Sequence, residues 1–207
     1  DPLEGYLDSV AVVKSPIRNR LFSDSFRREL QGYRASEVFR RHAANAPDDP
    51  LLQAQYIDFH TYLPGDILTK VDRASMAHSL EVRVPVLDHK LVEWAAGLAP
   101  RMKLNRGEGK YLFKRALRPH LSDDILYRRK MGFGVPLADW FRGPLAERVR
   151  SELLGPELLD SGIFDPDTVR RLVEQHQAGD WDHSAPLWSL FMYSGFQKRF
   201  LDNSQPT

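Results

Sequence analysis

Seven ionisable side chains, Asp66, Lys70, Asp72, Arg73, Glu81, Arg83 and Asp88, crowd into YLPGDILTKVDRASMAHSLEVRVPVLDH, residues 62–89, among small and apolar neighbours. Carboxylates and cations at this density suit two tasks: orienting a charged substrate, and moving a proton beside it. Glu81 and Arg83 alternate with Leu80, Val82 and Val84. An extended chain would therefore send both charges to one side and anchor itself with the apolar residues on the other. The plainer reading is solvated helix faces and a local ion pair. A second group is RRKMGFG, residues 128–134, where Arg128, Arg129 and Lys130 precede Gly132 and Gly134. Lysine brings a compact, mobile positive charge to oxygen ligands, and glycines let backbone come close to them. An exposed basic turn is the alternative there.

Other chemistries are excluded by what is missing. The 207 residues contain no cysteine, which removes disulfides, thiolate nucleophiles and Cys-ligated metals. His42, His60, His78, His89, His120, His176 and His183 show no metal-ligand spacing, and neither a HExxH motif nor a GxSxG elbow is present, so no metal site is expected. The glycines at 107 and 109 before Lys110 have the wrong spacing for a phosphate loop. Twenty-nine basic against 28 acidic residues leave a formal charge of +1, too little to gather nucleic acid or an anionic membrane. No run of 18 apolar residues occurs, and DPLEGYLDSVAVV opens with acids where a secretory leader carries positive charge. A soluble, untargeted, cytoplasmic protein is expected. The missing initial Met fits a processed product or an internal piece of a longer polypeptide.

Helices must position these groups. Ile17 to Phe39 carries apolar residues at three- and four-residue spacings, which predicts one or two amphipathic helices, ended by NAPDDP. Residues 51–63 read as a helix unusually rich in aromatics. Asp66 is expected to cap a helix reaching Leu80, and Asp88 one that Gly97 and Pro100 end. Ser122 reads as a short helix's cap, and Asp165 with Pro166 as a helix start, with Gly179 beyond its end. The last helix, about Pro186 to Leu201, is apolar nearly all round and should be packed on several sides; Trp94, Trp140 and Trp188 read as packing residues. Seven to nine helices and at most a few short extended pieces make a mainly α chain, without the strand–helix alternation of a complete nucleotide-binding domain.

The two charged blocks, with GKYLFKRAL, RRKMGFGVPLADWF and the late LWSLFMYSGF, resemble the synthetase domain of the glutamine-hydrolysing asparagine synthetase family. The likeness runs over residues 50–200, and the opening DPLEGYLDSVAVV is similar to members associated with exopolysaccharide systems. It implies a fold: the C-terminal helical portion of an adenine nucleotide alpha hydrolase-like (ATP pyrophosphatase) α/β synthetase domain. It also implies a reaction. Ammonia from glutamine reaches a second site, where a carboxylate, aspartate by default, attacks the α-phosphorus of Mg-ATP, and the ammonia then displaces AMP.

By this resemblance Lys130 meets the ATP phosphates and Glu81 acts near the attacking nitrogen. Gly132, Gly134, Asp72, Arg73 and Arg83 shape the nucleotide site. The family's Ser-Gly-Gly-x-Asp-Ser loop, its Gly-x-Gly-x-Asp-Glu segment and its glutaminase domain with a nucleophilic cysteine are all absent here. The piece alone is therefore expected to be inert, with ATP, Mg2+ and upstream glutaminase and ATP-binding portions belonging to a complete enzyme; a homodimer is compatible. A related adenylating ligase for another carboxylate and a noncatalytic helical interaction module are the alternatives.

Overall fold

The structure, a computed structural model, describes residues 2–129 and 134–201. It is mostly helical, with one two-stranded antiparallel sheet among the described residues. The chain divides into two compact units. The first comprises residues 1–6 and 35–132, the second residues 7–34 and 133–207. The opening helix α1, Pro2–Val10, which the sequence reading did not anticipate, begins in the first and ends in the second.

Two short helices, α2 (Ser15–Leu21) and α3 (Asp24–Glu29), follow in the second unit, and α4 (Ser36–Ala43) opens the long stretch of the first. The expected one or two helices are thus three. Asp49 caps α5 (Pro50–His60), its carboxylate accepting from the Leu51 and Leu52 amides at 3.0 and 3.1 Å. Pro50 sits in the first turn, where its missing N–H costs nothing. A π-turn over Leu63–Leu68 then runs into α6 (Thr69–Met76). Asp66 therefore does not cap a helix. It lies inside a continuous helical path and reaches Lys70, one turn on, at 3.3 Å.

After α6 the chain passes through residues 80–84, which carry no regular secondary structure, and a 3-10 turn, Pro85–Leu87, into α7 (His89–Ala96). Asp88 does cap α7, accepting from Lys90 and Leu91 amides at 3.0 and 3.2 Å. Then come α8 (Pro100–Lys103) and the paired strands β1 (Leu104–Asn105) and β2 (Glu108–Gly109) around a turn at Arg106–Gly107. Helices α9 (Tyr111–Leu117) and α10 (Asp123–Leu126) complete the first unit's described part. Ser122 precedes α10, but its side chain makes no cap hydrogen bond.

The second unit holds the well-formed core. Helices α11 (Leu137–Arg142), α12 (Ala146–Leu153), α14 (Pro166–Ala178) and α15 (Ser184–Phe196) pack on one another, with the single turn α13 (Pro156–Leu159) against α12. Val169, Leu172, Val173 and His176 bury one stripe of α14 at i, i+3, i+4, i+7 spacing. Phe141, fully buried, lies amid Trp188, Phe191 and His176 with ring centroids 6.1–6.3 Å away. Asp165 caps α14 by accepting from the Thr168 amide at 2.8 Å, and Gly179, in the left-handed region at φ 85°, ends it. Phe22 and Phe164 form an isolated antiparallel bridge tying α2 to the entry of α14. Helix α15 buries Leu187, Leu190 and Ser194 but leaves Met192 and Phe196 exposed. It is packed along one stripe, not on several sides. The fifteen α-helices among the described residues are more and shorter than expected, because breaks such as Gly143 and Gly155 recur every few residues.

His176 is the exception within that core. Its Nδ1 accepts from the His183 amide at 3.1 Å, while Nε2 has no partner within hydrogen-bond geometry. Burial, then the Arg142 guanidinium, lowers its pKa, with His183 adding to the effect; the Ala138 carbonyl and Asp182 oppose it. An unfolded imidazole takes its proton near pH 6.5, roughly, whereas this one stays neutral to lower pH. Falling pH therefore loads protons onto the unfolded chain first, and stability drops. We expect the thermal midpoint to fall more between about pH 7.5 and about 5.5 in the wild type than in His176→Gln. Equal slopes would remove His176 from the pH response.

Candidate functional site

Asp72 and Arg73 lie on α6 and face solvent. The helix ends in a main-chain turn: the Leu80 amide donates to the Ser75 carbonyl at 3.0 Å, with Ser79 left-handed at φ 57°. This closure, in which a left-handed residue lets the next amide reach back over the last turn, swings residues 80–84 off the helix axis. There Glu81 and Arg83 form an ion pair with each other. Their side chains are 71% and 84% exposed, so the pair contributes little to stability and is easily exchanged for another partner.

The stretch carries no regular secondary structure, with Val84 extended, and its apolar side is not an anchor. Leu80, Val82 and Val84 are exposed as well. The amides of Glu81, Val82 and Arg83 find no hydrogen-bond partner among the described residues. Alternation specifies an extended chain, but burial needs a neighbouring surface, and none of the described residues provides one.

Lys130 and Gly132 lie outside the described residues. Gly134 belongs to the second unit and is exposed, and a Cβ there would meet none of the described residues within 4 Å. Glu81 and Arg83 are thus brought together as an ion pair, whereas Asp72 and Arg73 stand exposed on α6 with no ion pair to them, and the expected meeting with residues 130–132 lies outside what is described. Neither of the two cavities below contains any of these residues. Among the described residues no three His, Asp or Glu side chains converge to hold a metal ion.

Two concavities went unread in the sequence. One, of about 740 Å3, lies in the first unit between α5, α7 and α9, and is lined by Tyr56, Phe59, Trp94 and Phe113, with Lys103 inside it. The aromatic richness of residues 51–63 was its only signal. Trp94 is accordingly 59% exposed, and not the core residue that its type suggests. The other, of about 320 Å3 in the second unit, is lined by Arg148, Glu152 and Lys198. Glu152 accepts from Lys198 at 2.6 Å and from the buried Ser194 hydroxyl at 3.2 Å, and the Lys198 bond chiefly holds its carboxyl below the ordinary range. This network joins residues 46 apart, which no local pattern could announce. Its charges satisfy one another.

The asparagine synthase family pattern matches residues 5–198. Relatives from Mycobacterium tuberculosis and Mycobacterium bovis are 36% identical over 164 residues, covering 79% of this chain and 25% of their own length. The glutamine-hydrolyzing asparagine synthetase 1 of Bacillus subtilis is 35% identical over 139 residues, 67% of this chain and 22% of that protein. The glutamine-hydrolyzing asparagine synthetase of Cricetulus griseus is 27% identical over 199 residues, 88% of this chain and 34% of that protein. The chain thus spans about a quarter of the length of the mycobacterial relatives it matches. No solved structure matches it. Among the described residues no helix is long and apolar enough to cross a membrane.

Proposed function

The chain belongs to the asparagine synthase family, and from that premise we propose that it is the C-terminal helical portion of an ATP-dependent, glutamine-using amidotransferase. The match over residues 5–198 carries this reading. The complete enzyme joins it in cis to a glutaminase domain and to the α/β, ATP-binding part of an adenine nucleotide alpha hydrolase-like synthetase domain. The site described above supports that reading in its own chemistry. Glu81 is exposed and held only by Arg83, a pairing that an incoming substrate can replace.

In the proposed reaction a carboxylate oxygen of the acceptor attacks the α-phosphorus of ATP and pyrophosphate leaves, giving an acyl-adenylate. Ammonia then attacks the acyl carbon, the bond to AMP breaks, and the amide remains. Glu81 orients the ammonia and takes the proton that the attacking nitrogen must lose. Arg83, released from Glu81, holds a phosphate or carboxylate oxygen through its forked donors. Asp72 and Arg73 support the same face from the end of α6, and Lys130 carries positive charge to the phosphates with Gly132 and Gly134 shaping its loop.

Aspartate is the default acceptor; a sugar acid is the alternative that the exopolysaccharide-like opening favours. The test is to incubate the natural full-length chain with glutamine, Mg-ATP and each acceptor. AMP and pyrophosphate released one for one with amide are expected. Release of ADP and phosphate would refute the adenylate, and turnover of no acceptor would refute the ligase reading.

A further inference from the structure

Apolar burial is divided very unequally between the two units. Among the described residues, Ile57 is the one apolar side chain of the first unit that counts as buried, whereas the second buries Phe141, Val149, Leu153 and Leu187 completely, with others beside them. The first unit has no shortage of apolar residues. Phe59, Tyr62, Leu91, Trp94, Met102 and Phe113 are all substantially exposed, and all line the same cavity of about 740 Å3. Scattered exposed apolar residues are ordinary on a protein surface, but a contiguous aromatic-rich concavity marks a surface that is covered in the working molecule.

Polar groups line it as well: Gln55, Asp58, Lys103 and Lys110. The Lys103 ammonium donates to the Gln55 Oε1 at 3.2 Å and to the Ala96 carbonyl at 3.1 Å, both neutral acceptors, and Asp49 acts on it only through space. A partly buried cation with neutral direct partners is complementary to a carboxylate arriving with whatever fills the cavity.

We propose that this concavity is the docking face for another part of the same polypeptide, an amphipathic segment that seats apolar side chains against Trp94 and Phe113 and presents a carboxylate to Lys103. The relatives are about four times the length of the stretch they share with this chain, since that stretch is 25% of their sequence. A longer chain therefore supplies an occupant at high effective concentration, without any bimolecular encounter. The inference rests on the proposed function only in taking the natural chain to be longer. It goes beyond that reading by assigning the face and the chemistry of its cover.

Hydroxyl-radical footprinting of the natural full-length chain, without substrates, tests it. Trp94 is 59% exposed and Trp181, in the second unit, 65% exposed, so the two indoles would react comparably if neither were covered. The expected result is loss of modification at Trp94, Tyr62 and Phe113 with Trp181 still modified. Equal modification of Trp94 and Trp181 would overturn the proposal. Protection that grows with protein concentration would also overturn it, by assigning the face to a second copy. The functional reading fails separately: a covered Trp94 in a chain without ligase turnover sinks the reaction and keeps the docking face. An active ligase with an open Trp94 does the reverse.

Discussion

In the natural full-length chain, Lys130→Ala is expected to lower ATP-dependent amide formation about 100- to 1000-fold while glutamine hydrolysis continues. Negative charge on the phosphate oxygens grows as the acyl-adenylate forms, and a positive group aimed at it is worth most in that transition state. The loss should therefore appear in turnover more than in the concentration of ATP needed for half-maximal rate. Lys130→Arg tests geometry separately from charge, since a planar guanidinium fork does not reproduce the contacts of a compact ammonium. Separate assays of amide and of glutamate production decide the matter. Equal loss of both would show that the substitution had unfolded the protein and would remove Lys130 from the chemistry.

Phe141→Ala should cost about 3–5 kcal/mol of folding stability. The ring is fully buried among Trp188, Phe191 and His176, so truncation removes its transfer energy and leaves a void that the surrounding helices cannot close without shifting. Its neighbour on α11, Trp140, is partly exposed and serves as the control. Urea unfolding of Phe141→Ala and Trp140→Ala compares the two. A Phe141→Ala loss no larger than that of Trp140→Ala would mean that the second unit's core is not organised around this ring. The comparison also guards the first prediction, because α11 begins shortly after the Lys130 loop and its collapse would mimic a chemical defect.

Local chemistry was the legible part of this fold. Asp88 and Asp165 were read as caps and do cap, because a carboxylate placed before an apolar-periodic run meets the free amides within two or three residues. Gly179 ends α14 in a left-handed conformation for the same local reason. Asp66 looks equally like a cap and is not one. Whether a helix starts there depends on Leu63 to Leu68 adopting a π-turn, which single-residue preferences do not encode.

The candidate site was legible as composition and not as burial. The alternation at residues 80–84 specifies extension; the chain there has no regular secondary structure, and Val84 is extended. Its apolar side chains nevertheless face solvent, since sidedness is set by a partner surface that the alternation cannot name. Trp94 and the late aromatic helix fail likewise, because apolar type shows that burial is favourable and not where it happens. His176 lies at a core position of the α14 stripe, yet the features that make it pH-sensitive, burial beside the Arg142 guanidinium with Nδ1 occupied by the His183 amide seven residues on, come from packing that its own position does not announce.

The turn that closes α6 gives control over Glu81 to atoms that never meet a reactant. Its joint is made by the Leu80 amide and the Ser75 carbonyl, so the identities of residues 77–79 hardly matter provided position 79 tolerates a positive φ. Proline in place of Leu80 would delete the donor, and a β-branched residue in place of Ser79 would resist the required backbone angle. Either change would re-aim the Glu81 carboxylate while leaving every charged residue of the stretch intact. The direction of that side chain thus hangs on a hinge of three residues, Ser75, Ser79 and Leu80, that carry no charge of their own.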